Sequence, residues 1–263
     1  MTRDARAVSF RALFQEMATV WRDAPAPEGV HLVEHTRAAL ADVEATAVVY
    51  GWMMRVIRNG EAALQLVDAG YGPEASPLIR SMIEHAIGLW WIVDQPGAAF
   101  QALTRARSET MRRLHAAQAT GWVIGDDESQ RLLQEAINIV TDEDTRAVDR
   151  LLHIAHQAAQ YNLGRLYQAW LVECMTSHAT IASGHAYYEV DTDSTTIHLL
   201  TEPRPTRVEI EVITVSITHA ALLAYQRLQP DAILTSKFEV WNQRVVELGE
   251  LLTVRAAPPP AAK

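Results

Sequence analysis

A chain of 263 residues, 49% hydrophobic and 21% charged, has ordinary globular composition and enough length to bury a sizeable core. Its formal net charge of -9 opposes broad, sequence-independent attraction to nucleic acid, which rests on many Lys and Arg contacts to phosphate. The single Cys174 excludes an intrachain disulfide and a cysteine-based metal cluster, and with no apolar leader or run of about 18 charge-free apolar residues the chain is expected to be cytoplasmic, with no membrane partner.

Phe10 to Arg22 carries Phe10, Leu13, Phe14, Met17, Val20 and Trp21 at helical spacing, and prolines end it. A second long helix is expected over His31 to Arg58, with Asn59-Gly60 breaking it before a short helix from Glu61 to Asp68. Gly70 to Pro73 reads as a turn, and a further helix runs from about Glu74 to Val93. Gly97 to Trp122 gives a long helix bearing Arg105, Arg107, Arg112 and Arg113. The runs starting at Asp126 and Asp142 put acidic residues in the first turns of two more helices, where the dipole favours them; the second covers Arg146 to about Gln160. Asn162 to about Ser183 continues the pattern. After it the period changes, and β-branched or aromatic runs over 186–200 predict a small β-hairpin. Two last helices are expected over Val208 to Leu228 and Asp231 to Arg255, before a disordered Pro/Ala-rich tail at 256–263. Eight or nine helices with short connections predict an all-α bundle, a single domain over 1–255.

The helix from Glu74 to Val93 is expected to lie at the centre, flanked by those at 31–58, 97–122, 163–183 and 208–228. Ile79, Met82, Ile83, Ala86, Ile87, Trp90 and Val93 fall within a stripe of roughly 140°, and Leu78, Leu89, Ile92 and Trp91 extend apolar surface beyond it. The same segment carries Arg80, Glu84 and His85. Arg80 and Glu84 are four apart, about 40° round the axis, and can pair. His85 lies about 140° round from Arg80 and points elsewhere with Ser81. Arg80 and Glu84 are expected to be mostly buried, bonded to each other or to polar groups of the helix at 167–178. Glu84→Ala would then cost about 3–5 kcal/mol by stranding Arg80.

No phosphate-cradling glycine loop, nucleophile elbow or H-E-x-x-H occurs. His31 and His35 with Glu34, and His153 with His156, have spacings that suit two imidazoles on one ion; ten histidines scattered over helices also produce such pairs. No Glu-x-x-His motif recurs on two helices, so neither metal nor cofactor is expected. Ser177 and His178 close an apolar helix. They either cap its carbonyls or line a polar pocket with Arg80 and Glu84, and adjacency alone cannot make them a nucleophile–base dyad, because neighbours on a helix diverge by about 100°.

The central Leu78-Ile-Arg-Ser-Met-Ile-Glu-His85 with Leu89-Trp-Trp91, followed by Tyr167 and by Ser177-His178 at the end of a later helix, resembles the bacterial family called domain of unknown function 5677. The resemblance spans roughly residues 40 to 230 and implies a helical fold rather than an activity. More distantly, Arg80-Ser-Met-Ile-Glu-His85 is similar to the R-x-x-x-x-H motif of the HEPN superfamily of helical ribonucleases, although Ser81 replaces the Asn, Asp or His usual after the arginine. That resemblance implies metal-independent RNA cleavage at a homodimer interface, in a stress or defence system. Arg80 would hold the phosphate and His85 would act on the 2′-hydroxyl or the leaving oxygen. The alternative is a non-catalytic interaction or small-ligand-binding module in which Arg80, Glu84, Ser177 and His178 fix helix register or line a pocket. The charge of -9, with lysine only at Lys237 and Lys263, favours the alternative over RNA as a partner. Trp241, Val245, Val246, Leu248 and Leu252 form a seam on the last helix that either pairs two copies or closes the chain's own core.

Overall fold

The long apolar stripes of the sequence become helices in the computed structural model, which describes residues 3–24, 37–121, 125–139, 141, 143–191, 196–204, 209–228 and 232–248. Among the described residues the elements are α1 (Arg3–Asp23), α2 (Arg37–Asp68), α3 (Ser76–Asp94), α4 (Pro96–Ala117), α5 (Asp127–Ile137), α6 (Ile154–Gln160), α7 (Gly164–Ser177), α8 (Ile181–Gly184), β1 (Tyr188–Asp191), β2 (Thr196–Leu199), α9 (Ile210–Leu228) and α10 (Ala232–Leu248). The fold is all-α with one small antiparallel hairpin, in which Tyr188 pairs with Leu199 and Val190 with Ile197.

α3 lies at the centre because it is apolar nearly all round. Ile79, Met82, Ile83, Ile87, Leu89, Trp91 and Ile92 are each buried, and the helix packs against α2, α9, α7 and α4. Each such side chain contributes about 1.5–3 kcal/mol when fully buried. Trp90 adds a bond from its Nε1 to the Ala220 carbonyl, 3.1 Å away on α9. One contiguous cluster of buried apolar side chains runs from Phe10 on α1 to Val245 on α10.

Three expected boundaries move, each for a local reason. α2 runs unbroken through Asn59 and Gly60. A Cβ on Gly60 would lie 2.8 Å from the Phe14 ring and 3.0 Å from the Thr214 methyl, so the glycine serves the close approach of α1 and α9. Asn59 donates from Nδ2 to Ser81 Oγ at 3.1 Å, tying α2 to α3. The expected helix over 146–160 is instead a 3₁₀ segment, Glu143–Leu152, and α6, separated at an extended His153. Gln157 Nε2 and the His156 ring nitrogen Nδ1 bond the Leu151 and Arg150 carbonyls, replacing the helical bonds lost at that break. The expected helix to Ser183 stops at Ser177, since His178 is extended and Thr180 caps α8 reciprocally with Ser183.

α10 closes onto α1. Trp241 and Val245 are buried within the chain, and Glu16 of α1 accepts from Trp241 Nε1 at 3.2 Å, from Lys237 Nζ at 3.3 Å and from Arg244. The described part of the expected dimer seam therefore seals the chain's own core. The side chains of Val246 and Leu248, and residue Leu252, lie outside the described residues, as do His31, Glu34 and His35 and the 256–263 tail.

Candidate functional site

α3 presents Arg80 and Glu84 to α7. Arg80 Nε donates to Glu84 Oε1 at 3.0 Å, as the i,i+4 spacing predicts. Arg80 Nη1 also donates to Nε2 of His178, 2.8 Å away; arginine has only donors, so that imidazole nitrogen accepts. The guanidinium lies 5.9 Å from the Trp170 ring centroid, and Trp170 Nε1 donates to Glu84 Oε1 at 2.9 Å. Arg80, Glu84, Trp170 and His178 thus form a network that locks α3 to α7. It is half-open to solvent: the Arg80 and Glu84 side chains are 27% and 38% exposed, not mostly buried as expected. The reason is α7, which covers one side of the pair and ends at Ser177.

His85 stands on another side of α3. Its Nδ1 lies 2.6 Å from the Ser81 carbonyl, and its ring meets Trp52 of α2 edge-on at 5.8 Å. Burial pulls its pKa below the ordinary histidine value; the Ser81 carbonyl opposes that shift and the nearby Arg55 reinforces it. Arg80 and His85 are not brought together within the chain. Ser177 also leaves the Arg80 network, placing its Oγ 3.2 Å from Ser76 Oγ at the start of α3.

Ser76 anchors a second polar cluster. Its hydroxyl donates to the Glu173 carboxyl, meets Thr176 Oγ1 and lies 3.3 Å from the Glu173 carbonyl. Glu173 is 8% exposed; burial pushes its carboxyl up, and the Ser76 and Thr176 hydroxyls hold it down in part. Nearby, the Tyr187 hydroxyl donates to Glu74 Oε1, while Glu74 Oε2 is buried and has no hydrogen-bond partner among the described residues.

These groups border a cavity of about 700 Å³ between the N-terminal ends of α3 and α9, α7, α8 and β1. Pro73, Pro77, Ile79, Ile210 and Ile213 supply apolar wall; Ser76, Glu173, Glu74 and Tyr187 supply polar groups. Exposed Arg204 and His185 stand at its rim, with the Arg204 guanidinium donating to the His185 carbonyl. Sequence reasoning missed Glu74, Ser76, Glu173 and Tyr187 as site residues. The signal available for Glu173 was its position in an apolar helix just before Ser177 and His178; Glu74 and Tyr187 carried none.

A second cleft, about 620 Å³, lies along α4 and the Glu143–Leu152 segment, lined by Arg105, Arg112, Arg113 and Arg146 with Glu109 and Asp149. Arg105 is held there by Asp149 and Thr145, and neither Arg80 nor His85 lines this cleft. Among the described residues no group of three or more His, Cys, Asp and Glu side chains could hold a metal ion, and no helix is long and apolar enough to cross a membrane. His153 and His156 stack edge-to-face 5.8 Å apart, with His156 bonded to the Arg150 carbonyl.

A model of a family described as "Family of unknown function (DUF5677)" matches residues 46–195, which include α3, α7, α8 and β1 of the cavity wall. No curated protein and no solved structure matches the chain.

Proposed function

The chain belongs to the DUF5677 family of unknown function, and we propose that it binds a small, mostly apolar molecule in the cavity at the N-terminal end of α3. The observation that carries this reading is the cavity itself: about 700 Å³ of space, walled mainly by apolar side chains with a few converging polar groups. Binding sites for small molecules span about 300–1,000 Å³ and have this composition. In this reading Arg80, Glu84, Trp170 and His178 hold α7 in register against α3, so that the wall keeps its shape. Ser76, Glu173, Glu74 and Tyr187 orient the ligand.

The test uses an uncharged, polarity-sensitive dye, N-phenyl-1-naphthylamine. Saturable fluorescence enhancement with one site per chain is expected, and Ala182→Trp, which fills the cavity from α8, should abolish it. A dye that does not saturate, or that binds Ala182→Trp equally well, defeats the reading.

Metal-independent RNA cleavage by a cytoplasmic homodimer, in stress or phage defence, is the competing reading. One observation favours it: Arg80 and His178 sit 2.8 Å apart at a half-open surface, an arrangement suited to holding a phosphate beside an imidazole. The position of His85 against Trp52, away from Arg80, weighs against the motif acting within one chain. Incubating purified protein with total RNA in EDTA separates the two. Cleavage lost in both His85→Ala and Arg80→Ala supports the ribonuclease; equal background in all three proteins excludes it.

A further inference from the structure

We infer that the ligand of this cavity is an organic cation, an apolar body carrying a protonated amine, with the amine seated on Glu74. The inference rests on the cavity reading above and adds the chemistry of the occupant. Three carboxyl-bearing side chains, Glu74, Glu173 and Glu189, border the space. Among the described residues, one guanidinium, that of Arg204, and the His185 imidazole stand against them, both on exposed rim residues; the Arg204 guanidinium is engaged by the His185 carbonyl. The wall therefore favours positive charge, and an apolar wall strengthens that preference by keeping the local dielectric low.

The carboxyl groups are not equivalent. Glu173 already has a donor, the Ser76 hydroxyl at the first residue of α3, where the positive end of the helix supports negative charge. Glu189 is exposed, and water can satisfy it. Glu74 has one donor for two oxygens. The Tyr187 hydroxyl serves Oε1, and Oε2 is out of water with no donor among the described residues. A carboxylate oxygen in that position is expensive unless a donor reaches it, and an ammonium supplies up to three donors together with the compensating charge. Seating an ammonium there requires the Glu74 carboxylate to turn so that Oε2 faces the cavity. Ile79, Ile210 and Ile213 line the same space and offer the surface an alkyl or aryl body would cover.

The experiment compares three ten-carbon competitors that differ only in their head groups: decylammonium, decanol and decanoate. Each displaces N-phenyl-1-naphthylamine from the full chain. Decylammonium is expected to work at a concentration about tenfold below that of decanol, the factor that one charge-assisted bond contributes over a neutral one. Decanoate should be the weakest. Glu74→Gln keeps an acceptor for Tyr187 and should lose the amine preference, whatever its affinity for the dye, so that decylammonium and decanol displace alike; Glu189→Gln, at the exposed rim, should retain that preference. Equal displacement by decylammonium and decanol, strongest displacement by decanoate, or a preference that survives Glu74→Gln overturns the inference and leaves the cavity reading standing. Absence of dye binding to the wild-type chain removes the cavity reading itself, so the two failures are distinct. The wild-type ranking needs no variant, and decides the question if Glu74→Gln does not fold.

Discussion

Along one flank α3 meets α9, where Trp90 lies beside a helix carrying buried Ala220, Ala221 and Ala224; at its N-terminal end it meets α7 and the chain leading into the hairpin. On the first flank a bulky ring closes on small side chains, and the indole finds the Ala220 carbonyl. On the second, Ser76 and Thr176 face each other from helices that end nearby, and a cavity of about 700 Å³ remains. One helix thus lines both a sealed contact and an open cavity. Its long apolar half provides stability, and that lets the end with Ser76 and Glu74 carry polar groups whose placement is poor for stability and suited to a ligand.

The largest effect that could break this comparison is on the sealed flank. Trp90→Ala removes a buried indole, its bond to Ala220 and the contact with the Arg227 guanidinium 5.4 Å from the ring centroid. A loss of about 3–5 kcal/mol is expected in denaturant unfolding. A loss below about 1 kcal/mol would mean that the α3–α9 contact is not where the stability resides.

Acid should act on α9 as well, where it meets α10. His219 of α9 is buried against Phe238 of α10, ring centroids 5.7 Å apart, and burial holds its pKa down at about 4. The folded chain thus takes up this proton less readily than the unfolded chain, whose histidine titrates at its ordinary value of 6.5. Stability is full above that ordinary value and is lost as pH falls through the window between the two. From about pH 7 to about pH 5 the His219 contribution is about 2 kcal/mol, and His219→Leu should remove most of that slope. His85, also held down by burial, leaves a smaller residue of the same sign. A wild-type slope that His219→Leu leaves unchanged would place the acid sensitivity elsewhere.

The smallest effect belongs to the open flank. With side chains 27% and 38% exposed, the Arg80–Glu84 pair is screened by water, and Glu84→Ala should cost about 1 kcal/mol rather than the 3–5 kcal/mol of an enclosed pair. The same substitution takes the acceptor from Trp170, so it should weaken dye binding more visibly than it lowers stability. A cost above about 3 kcal/mol in unfolding experiments would show that this flank is as sealed as the other.

The Arg80–Glu84 pair and its reach to the helix at 167–178 were legible because both follow from helical spacing. So was the divergence of His85, which the structure turns toward Trp52. Asn59 and Gly60 were misread, because a glycine that stops a helix and one that admits a neighbour look alike until Phe14 and Thr214 stand beside it. The end of α7 was legible in part: Ser177 and His178 do close an apolar helix, but the expected run to Ser183 fails because the Thr180 hydroxyl competes with helix continuation only once it finds Ser183.

By itself the sequence determined the elements: apolar side chains at the helical period make α3 central, and β-branched and aromatic runs over 186–200 make the hairpin, since both signals depend on neighbours within a few positions. Only the tertiary structure decided the site. Ser76 meets Glu173 across 97 residues and Glu74 meets Tyr187 across 113, and a cavity is the space left between elements that no local pattern relates. Its position depends on where α7 ends and on how the chain before β1 folds back against α3. Both are set by packing and by donors finding acceptors over long separations, which the spacing of residues along the chain does not encode.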